Sequence, residues 1–411
     1  MNDRGRVARR RLGAGGALCL ALLVQCAWAE TEEQSEAGPE ERAFSWGLVY
    51  KGTLMGVASG GVDKVTTYHG NLDLTLSVDG EKALGWPGST FFVHVLNDHG
   101  GKLNETVDSI QGVDNIEVSD NATRLYQLWV EQRLANDRFS ALVGLYDINS
   151  EFYVTDAAGV FLNPSFGIGP DIAQTGENGP SIFPVASLGL RLKLNPTENT
   201  YLQLAVLDGV PGDPDHPKRT AVNLESGDGL LWIAEAGTGL DITGLGGGKL
   251  AVGAWGYTEK VDDVLRTDGA GDPRQVRNQG AYVLFDQPLY RAGSDGARGL
   301  DAFVRVGLAD DDANAVDLGW QAGATYTGPF AARPQDVLAL GVTYAGLGNP
   351  YRESVRAAGD PDPRDEWIIE LTYRAQINEH FALQPDVQYI RHSDPSVEHV
   401  TVIGLRGELA F

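Results

Sequence analysis

Between Leu125 and Leu134 the residues Gln127, Trp129, Glu131 and Arg133 alternate with Tyr126, Leu128, Val130 and Leu134. On an extended strand this spacing sends the two sets to opposite faces. An aromatic ring beside a carboxylate and a guanidinium suits a polyhydroxylated ring. The indole covers its apolar C–H face, and the charged neighbours exchange hydrogen bonds with its hydroxyls. The plainer alternative is that Trp129 packs under a loop and the charges hydrate a wall. Arg191 and Lys193 alternate with leucines in the same way, Arg305 sits between Val304 and Val306, and Glu370 and Arg374 alternate with Ile369, Leu371 and Tyr373. A ladder of opposite charges around a wet passage orients water and polar solutes. Taken singly, each is better read as hydrogen bonding within a wall.

No local arrangement supports covalent or metal chemistry. The run Gly244 to Lys249 lacks the first glycine of a phosphate loop, at Thr243, and has Leu250 where Ser or Thr is needed, so it reads as a turn. No serine sits in Gly-x-Ser-x-Gly, and the seven histidines show no His-Glu-x-x-His spacing. Asp310, Asp311, Asp312 and Asn314 lack the glycine and terminal glutamate of a calcium loop and read as a solvated turn. No catalytic residue, metal or cofactor is expected.

Composition narrows the classes further. The 411 residues carry a net charge of -24 and only two cysteines, which excludes a broad basic surface for nucleic acid and a disulfide scaffold. Arg4, Arg6, Arg9, Arg10 and Arg11 precede an apolar stretch from Ala17 to Val24 that Ala27-Trp28-Ala29 ends. That run is too short to span a bilayer as a helix, so residues 1–29 are expected to be a cleaved signal peptide. Five arginines, one aspartate and both cysteines leave with it, taking the charge from -24 to -28. Residues 30–43 are acidic and short of large apolar side chains, and are expected to form a disordered leader before one domain at 44–411.

The elements that must position the polar residues are strands. Leu72, Leu74, Leu76 and Val78 alternate with Asp73, Thr75, Ser77 and Asp79. Leu188 to Leu194 and Leu202 to Val206 alternate on either side of Asn195-Pro196 and read as a hairpin. Leu125 to Leu134, Val316 to Thr327, Glu366 to Ile377 and Val400 to Phe411 are as long as a tilted strand needs to cross a bilayer. Tyr126, Trp320, Tyr326, Tyr344, Trp367, Tyr373 and Tyr389 fall near strand ends, as interfacial girdles do. These features favour an all-β, transmembrane antiparallel β-barrel of about sixteen strands over a soluble sandwich, with the apolar face on outer-membrane lipid. The Phe411 terminus of an alternating strand resembles the assembly signal of bacterial outer-membrane proteins. The segment from Ser150 to Ala186, with four X-Pro pairs and several aromatics, cannot be one strand and reads equally as an infolded constriction or an ordinary external loop.

Seven ordered segments carry a family likeness: LYQLWVEQ (125–132), EFYVTDAAGVFLNPSFG (151–167), FPVASLGLRLK (183–193), GAYVLFDQPLY (280–290), GLDAFVRVG (299–307), GPFAARPQDVLALGV (328–342) and LQPDVQYI (383–390). From about Arg124 to Phe411 the chain resembles the OprB-type carbohydrate-selective porins. The resemblance implies a sixteen-stranded outer-membrane channel for glucose and other small sugars, with no enzymatic step. A general or cation-preferring porin is the alternative, and a barrel enzyme a more distant one. None of the segments is a catalytic signature, so Gln127, Trp129, Glu131, Arg133, Arg191, Lys193, Arg305, Glu370 and Arg374 rest on facing alone as expected sugar-binding or pore-lining residues.

Overall fold

The computed structural model describes residues 42–293 and 296–411. The expected signal peptide, and the leader up to residue 41, lie outside them. Among the described residues, sixteen antiparallel strands follow one another around a closed barrel in chain order. The first half comprises β1 (Phe44–Ser59), β2 (Thr66–Asp79), β3 (Ser89–Gly100), β4 (Ala122–Leu134), β5 (Phe139–Tyr146), β6 (Ser187–Thr197), β7 (Thr200–Asp208) and β8 (Leu230–Gly239). The second comprises β9 (Lys249–Thr267), β10 (Pro273–Ala292), β11 (Arg298–Ala309), β12 (Val316–Thr327), β13 (Val337–Leu347), β14 (Glu366–Asn378), β15 (Phe381–Arg391) and β16 (Val400–Ala410). The ring closes where β1 pairs with β16, with Leu54 opposite Leu405. Phe411 extends this seam by two backbone bonds, accepting from the Leu48 N–H at 3.1 Å and donating to the Leu48 carbonyl at 2.9 Å.

Alternation sorts the side chains as a bilayer requires. Leu74, Leu128, Leu190, Val304, Leu340, Leu371, Ile403 and Leu405 are exposed on the outer surface. Their sequence neighbours Asp73, Gln127, Arg191, Arg305, Glu370 and Arg406 point inward and are buried. A charge on the lipid side costs roughly 2–4 kcal/mol at mid-depth, which holds this parity in place. The expected hairpin is β6–β7, with Leu194 opposite Leu202 and Leu190 opposite Val206.

One expected facing is overturned. Tyr126 was grouped with the outward leucines and the interfacial aromatics, but the β3–β4 register shifts between His94 and Val95, which pair with Gln127 and Leu125. The intervening Tyr126 is a bulge residue. It turns inward, edge-on to His94 and Phe183 with centroids 5.3 and 6.2 Å apart. A bulge re-aims one side chain while parity resumes beyond it, so Leu128 still faces out.

At the barrel end that holds Phe44 and Phe411, two connections are as short as residues 198–199 and 379–380, whereas the opposite end carries 101–121, 147–186, 209–229 and 348–365. Two of these long connections fold into the barrel. The inner loop, 147–186, contains Phe152, Tyr153, Phe161, Phe166, Ile168 and Ile172, all nearly inaccessible. This apolar load finds a matching wall, because the inward positions of β7 to β10 include Ala205, Leu207, Ile233, Ala251, Trp255, Tyr282 and Leu284. The collar loop, 101–121, lies against β2, β14 and β16.

Candidate functional site

Polar wall residues grip the two infolded loops. The Arg305 guanidinium donates to four inner-loop carbonyls, those of Tyr153 (3.1 Å), Gly167 (2.8 Å), Ser165 (2.9 Å) and Phe166 (2.7 Å). Glu370 accepts from the Leu162 and Asn163 N–H groups at 2.6 and 2.9 Å. Glu235 accepts from the Tyr153 N–H at 2.9 Å and from the Tyr201 and Tyr282 hydroxyls at 2.6 and 2.7 Å. Loop backbone away from water must find partners, and inward charges supply them.

The collar loop is held by the same device. Arg406 pairs with Asp114, which also accepts from His69 at 2.8 Å. Glu366 accepts from the Ser109 hydroxyl (2.7 Å) and the Ile110 and Gln111 N–H groups (3.1 and 3.0 Å). Burial pushes the Glu117 carboxyl of this loop up to about 7. For Asp114 the burial effect is outweighed by Arg406 and His69, which hold it below the ordinary carboxylate range.

Glycines on the wall make the fit possible. A Cβ at Gly307 would lie 2.0 Å from Asp171 Oδ2, and one at Gly319 would lie 2.6 Å from Asp171 Oδ1. Asp171 is fully buried there and accepts from the Tyr153 hydroxyl at 3.0 Å. Burial pushes its carboxyl up to about 7, as it does that of Asp147 at the loop's root.

Several of the expected residues lie on the inward faces of β4 and β6. Trp129 stacks on Phe92 at 4.9 Å and 25°, and its indole N–H donates to Gln127 Oε1 at 3.3 Å. It stands opposite Gly144, whose φ of +147° and backbone closeness to Trp129 leave no room for a Cβ. Beside it, Arg191 Nη2 donates to Glu131 Oε1 at 2.7 Å and Arg191 Nε to Glu151 Oε2 at 2.7 Å. Lys193 Nζ donates to Glu151 Oε1 at 3.3 Å. The side chains of Glu131, Glu151 and Lys193 remain 18%, 19% and 29% exposed, against 3% for Arg191. Next to β3, Lys51 of β1 pairs with Asp73 of β2 at 3.1 Å, and farther round the barrel Arg374 of β14 pairs with Glu408 of β16 at 2.7 Å.

The expected site residues therefore divide. Gln127, Trp129, Glu131, Arg191 and Lys193 come together on one wall, with Gln127 and Arg191 buried beneath the other three. Arg374 lies on the other wall beside Glu408. Arg305 and Glu370 are covered by the inner loop. Arg133 is exposed near the β4–β5 turn, 3.9 Å from Asp137. Sequence reasoning omitted Glu151, Asp73, Glu235, Arg406 and Glu408. The last two share the inward parity of β16 and were accessible to the facing argument. Glu151 lies outside any strand and has no period to reveal it.

The arrangement can hold a polar solute by hydrogen bonds and stacking, and no group of three or more His, Cys, Asp or Glu side chains among the described residues could hold a metal ion. Comparison with known proteins agrees with this chemistry. The model of the carbohydrate-selective porin, OprB family, matches residues 63–411. Porin B of Pseudomonas aeruginosa is 25% identical over 422 aligned positions, covering 90% of this chain and 88% of that protein. Among solved structures, the high-pH form of Pseudomonas putida OprB superposes with a TM-score of 0.79 at 24% identity, covering 90% of this chain and 94% of that one. The outer-membrane channel DcaP of Acinetobacter baumannii shares the fold at 10% identity, with a TM-score of 0.56 and coverage of 90% and 97%. A closed sixteen-stranded barrel narrowed from within, and a family match over most of its length, establish that this chain belongs to the carbohydrate-selective porins of the OprB family.

Proposed function

We propose that small uncharged sugars, glucose among them, diffuse passively along the wall formed by β3 to β6 and are retained there briefly by Trp129, Glu131 and Lys193. The observation that carries this reading is the partial exposure of Glu131 and Lys193 next to the Trp129–Phe92 stack, where Arg305 and Glu370 are covered. Glu131 Oε1 is engaged by Arg191, which leaves Oε2 to accept from a sugar hydroxyl. Lys193 uses one of its three donors on Glu151. Contacts of this kind are weak enough to allow exit as well as entry, as conduction requires. Arg374 and Glu408 line the far side of the same path.

The chain reaches the outer membrane by cleavage after Ala29, and its outward leucines then meet lipid. No cofactor takes part. The deciding experiment is a planar-bilayer recording with glucose added: concentration-dependent block of the ion current is expected. A current indifferent to glucose would leave a general or cation-preferring pore.

A further inference from the structure

Arg191 lies at the centre of a set of charges that sums to zero. Its guanidinium reaches Glu131 Oε1 (2.7 Å), Glu151 Oε2 (2.7 Å), Glu151 Oε1 (3.2 Å) and the Ser140 hydroxyl (2.5 Å). Glu151 also accepts from Lys193 (3.3 Å) and from the Tyr146 hydroxyl (2.5 Å). Two cations and two anions thus share one connected network, on the strands β4 and β6 and the root of the inner loop. The next charged groups outward gather round Tyr201: Lys249 lies 5.6 Å from the centre of its ring, its hydroxyl donates to Glu235 at 2.6 Å, and Asp156 adds a second carboxylate nearby.

Only the edges of this network meet the lumen, because Arg191 itself is almost wholly covered. A solute therefore meets one acceptor edge, Glu131, and one donor edge, Lys193, of a network that is itself neutral. A hydroxyl can serve both. A carboxylate meets Glu131 unfavourably, and an ammonium meets Lys193 unfavourably.

We infer that Arg191 is a positioning residue that sets charge selectivity among sugars: it joins Glu131, Glu151 and Lys193 into a neutral quartet that favours uncharged sugars over both sugar acids and amino sugars. The inference rests on the proposed sugar path along this wall. Removing one charge from the quartet leaves the opposite sign in excess, and the direction depends on which partner is removed. A unit charge about 6 Å from the solute in a water-like medium alters the preference roughly threefold.

The test is block of ion current by glucose, glucosamine and gluconate in the full barrel. For the unaltered protein, glucose should block more strongly than either charged sugar. In Arg191→Gln, block by glucosamine relative to glucose should rise about threefold and block by gluconate should fall. In Glu151→Gln the two shifts should reverse, and the double variant should return both ratios towards their starting values. A merely structural role for Arg191 would alter all three sugars alike. Ratios unchanged in both variants, or shifted in the same direction, overturn the inference while glucose block in the parent protein still supports the sugar path. Absence of block by all three sugars in the parent overturns the path and the inference together. Should Arg191→Gln fail to assemble, Glu151→Gln alone decides, since it must shift block towards gluconate.

Discussion

Trp129 and Arg305 show how one alternating pattern serves two tasks. Both point inward, but Trp129 is only partly buried at the edge of the inner loop's apolar cluster, whereas Arg305 has no exposed surface and satisfies four loop carbonyls. Their substitutions should separate accordingly. Trp129→Ala removes a stacking surface worth about 0.5–1.5 kcal/mol, so the concentration of glucose giving half-block should rise between about two- and tenfold, with the barrel's heat-modifiable mobility on gels unchanged. A reduced yield of assembled barrel, with unaltered glucose block in the channels that do form, would instead assign Trp129 to packing. Arg305→Met leaves four buried carbonyls without their charged donor, at a cost of at least about 3 kcal/mol to loop attachment. Single-channel traces of that variant should show larger and noisier conductance, and a quiet trace at the parental level would contradict the clamp.

The inner loop is held by apolar packing, by glycine-sized gaps in the wall and by buried carboxyls, and each can be tested apart from the solute path. Gly307→Ala places a Cβ 2.0 Å from Asp171 Oδ2, so the loop must shift at a cost of about 1–3 kcal/mol. Cleavage of the loop by added protease should accelerate in this variant. Gly269→Ala, where nothing lies within 4 Å, should leave it unaltered. Protonation acts on the same attachment. Asp171 has its carboxyl raised from 3.8 to about 7 by burial, and Asp147 is raised likewise, so the docked loop binds protons more tightly than the free one. Their contribution is complete below about pH 4 and is lost as pH rises to about 7. Glu151, by contrast, has the effect of burial outweighed by Arg191 and Lys193 and lies below its ordinary value, so it loses stability only in more acid solution. Protease sensitivity of the inner loop should therefore increase from pH 5 to pH 8, and Asp171→Asn should reduce that increase. A flat profile in the parent protein would exclude these carboxyls from loop attachment.

As a member of a carbohydrate-selective porin family with a closed barrel fold, the molecule is a channel of the bacterial outer membrane. Its net charge of -24 is a poor guide to its lumen. Lys51 with Asp73, Arg374 with Glu408, Arg291 with Asp301, and Arg191 and Lys193 with Glu131 and Glu151 are matched pairs along the inner wall. Acidic residues without such matching lie in connections, as at Asp310 and Asp311, and in buried positions of the wall that carry no ion pair, as at Glu235, Asp286, Glu366, Glu370 and Asp386. Reversal potentials across a salt gradient should accordingly show almost no ion preference at about 1 M salt, where the screening length is about 3 Å. At about 0.01 M, where it reaches about 30 Å, the acidic mouth should impose a cation preference. Strong cation selectivity persisting at high salt would place unpaired carboxylates in the constriction.

Strand identity, inward or outward facing and barrel closure were readable along the chain because lipid and water impose opposite demands on adjacent positions. Val316 to Thr327 was delimited to the residue, and the inward set Gln127, Trp129, Glu131, Arg191, Arg305 and Glu370 followed from parity. Parity is a local property, so it could not distinguish a charge that meets solute from one that holds a loop. That distinction depends on where residues 147–186 return within the barrel, and their packing on β7 to β10 is a contact between segments far apart in sequence. The apolar inward positions of those strands, Ile233 and Trp255 among them, were a faint sign of it, since a wall facing only water has no use for them. The Tyr126 bulge escaped for a related reason: one extra residue in β4 shows only against the register of β3. Glu151 became part of the lumen wall only when the fold brought a loop carboxylate within reach of Arg191, because a guanidinium recognises proximity in space and not spacing in sequence.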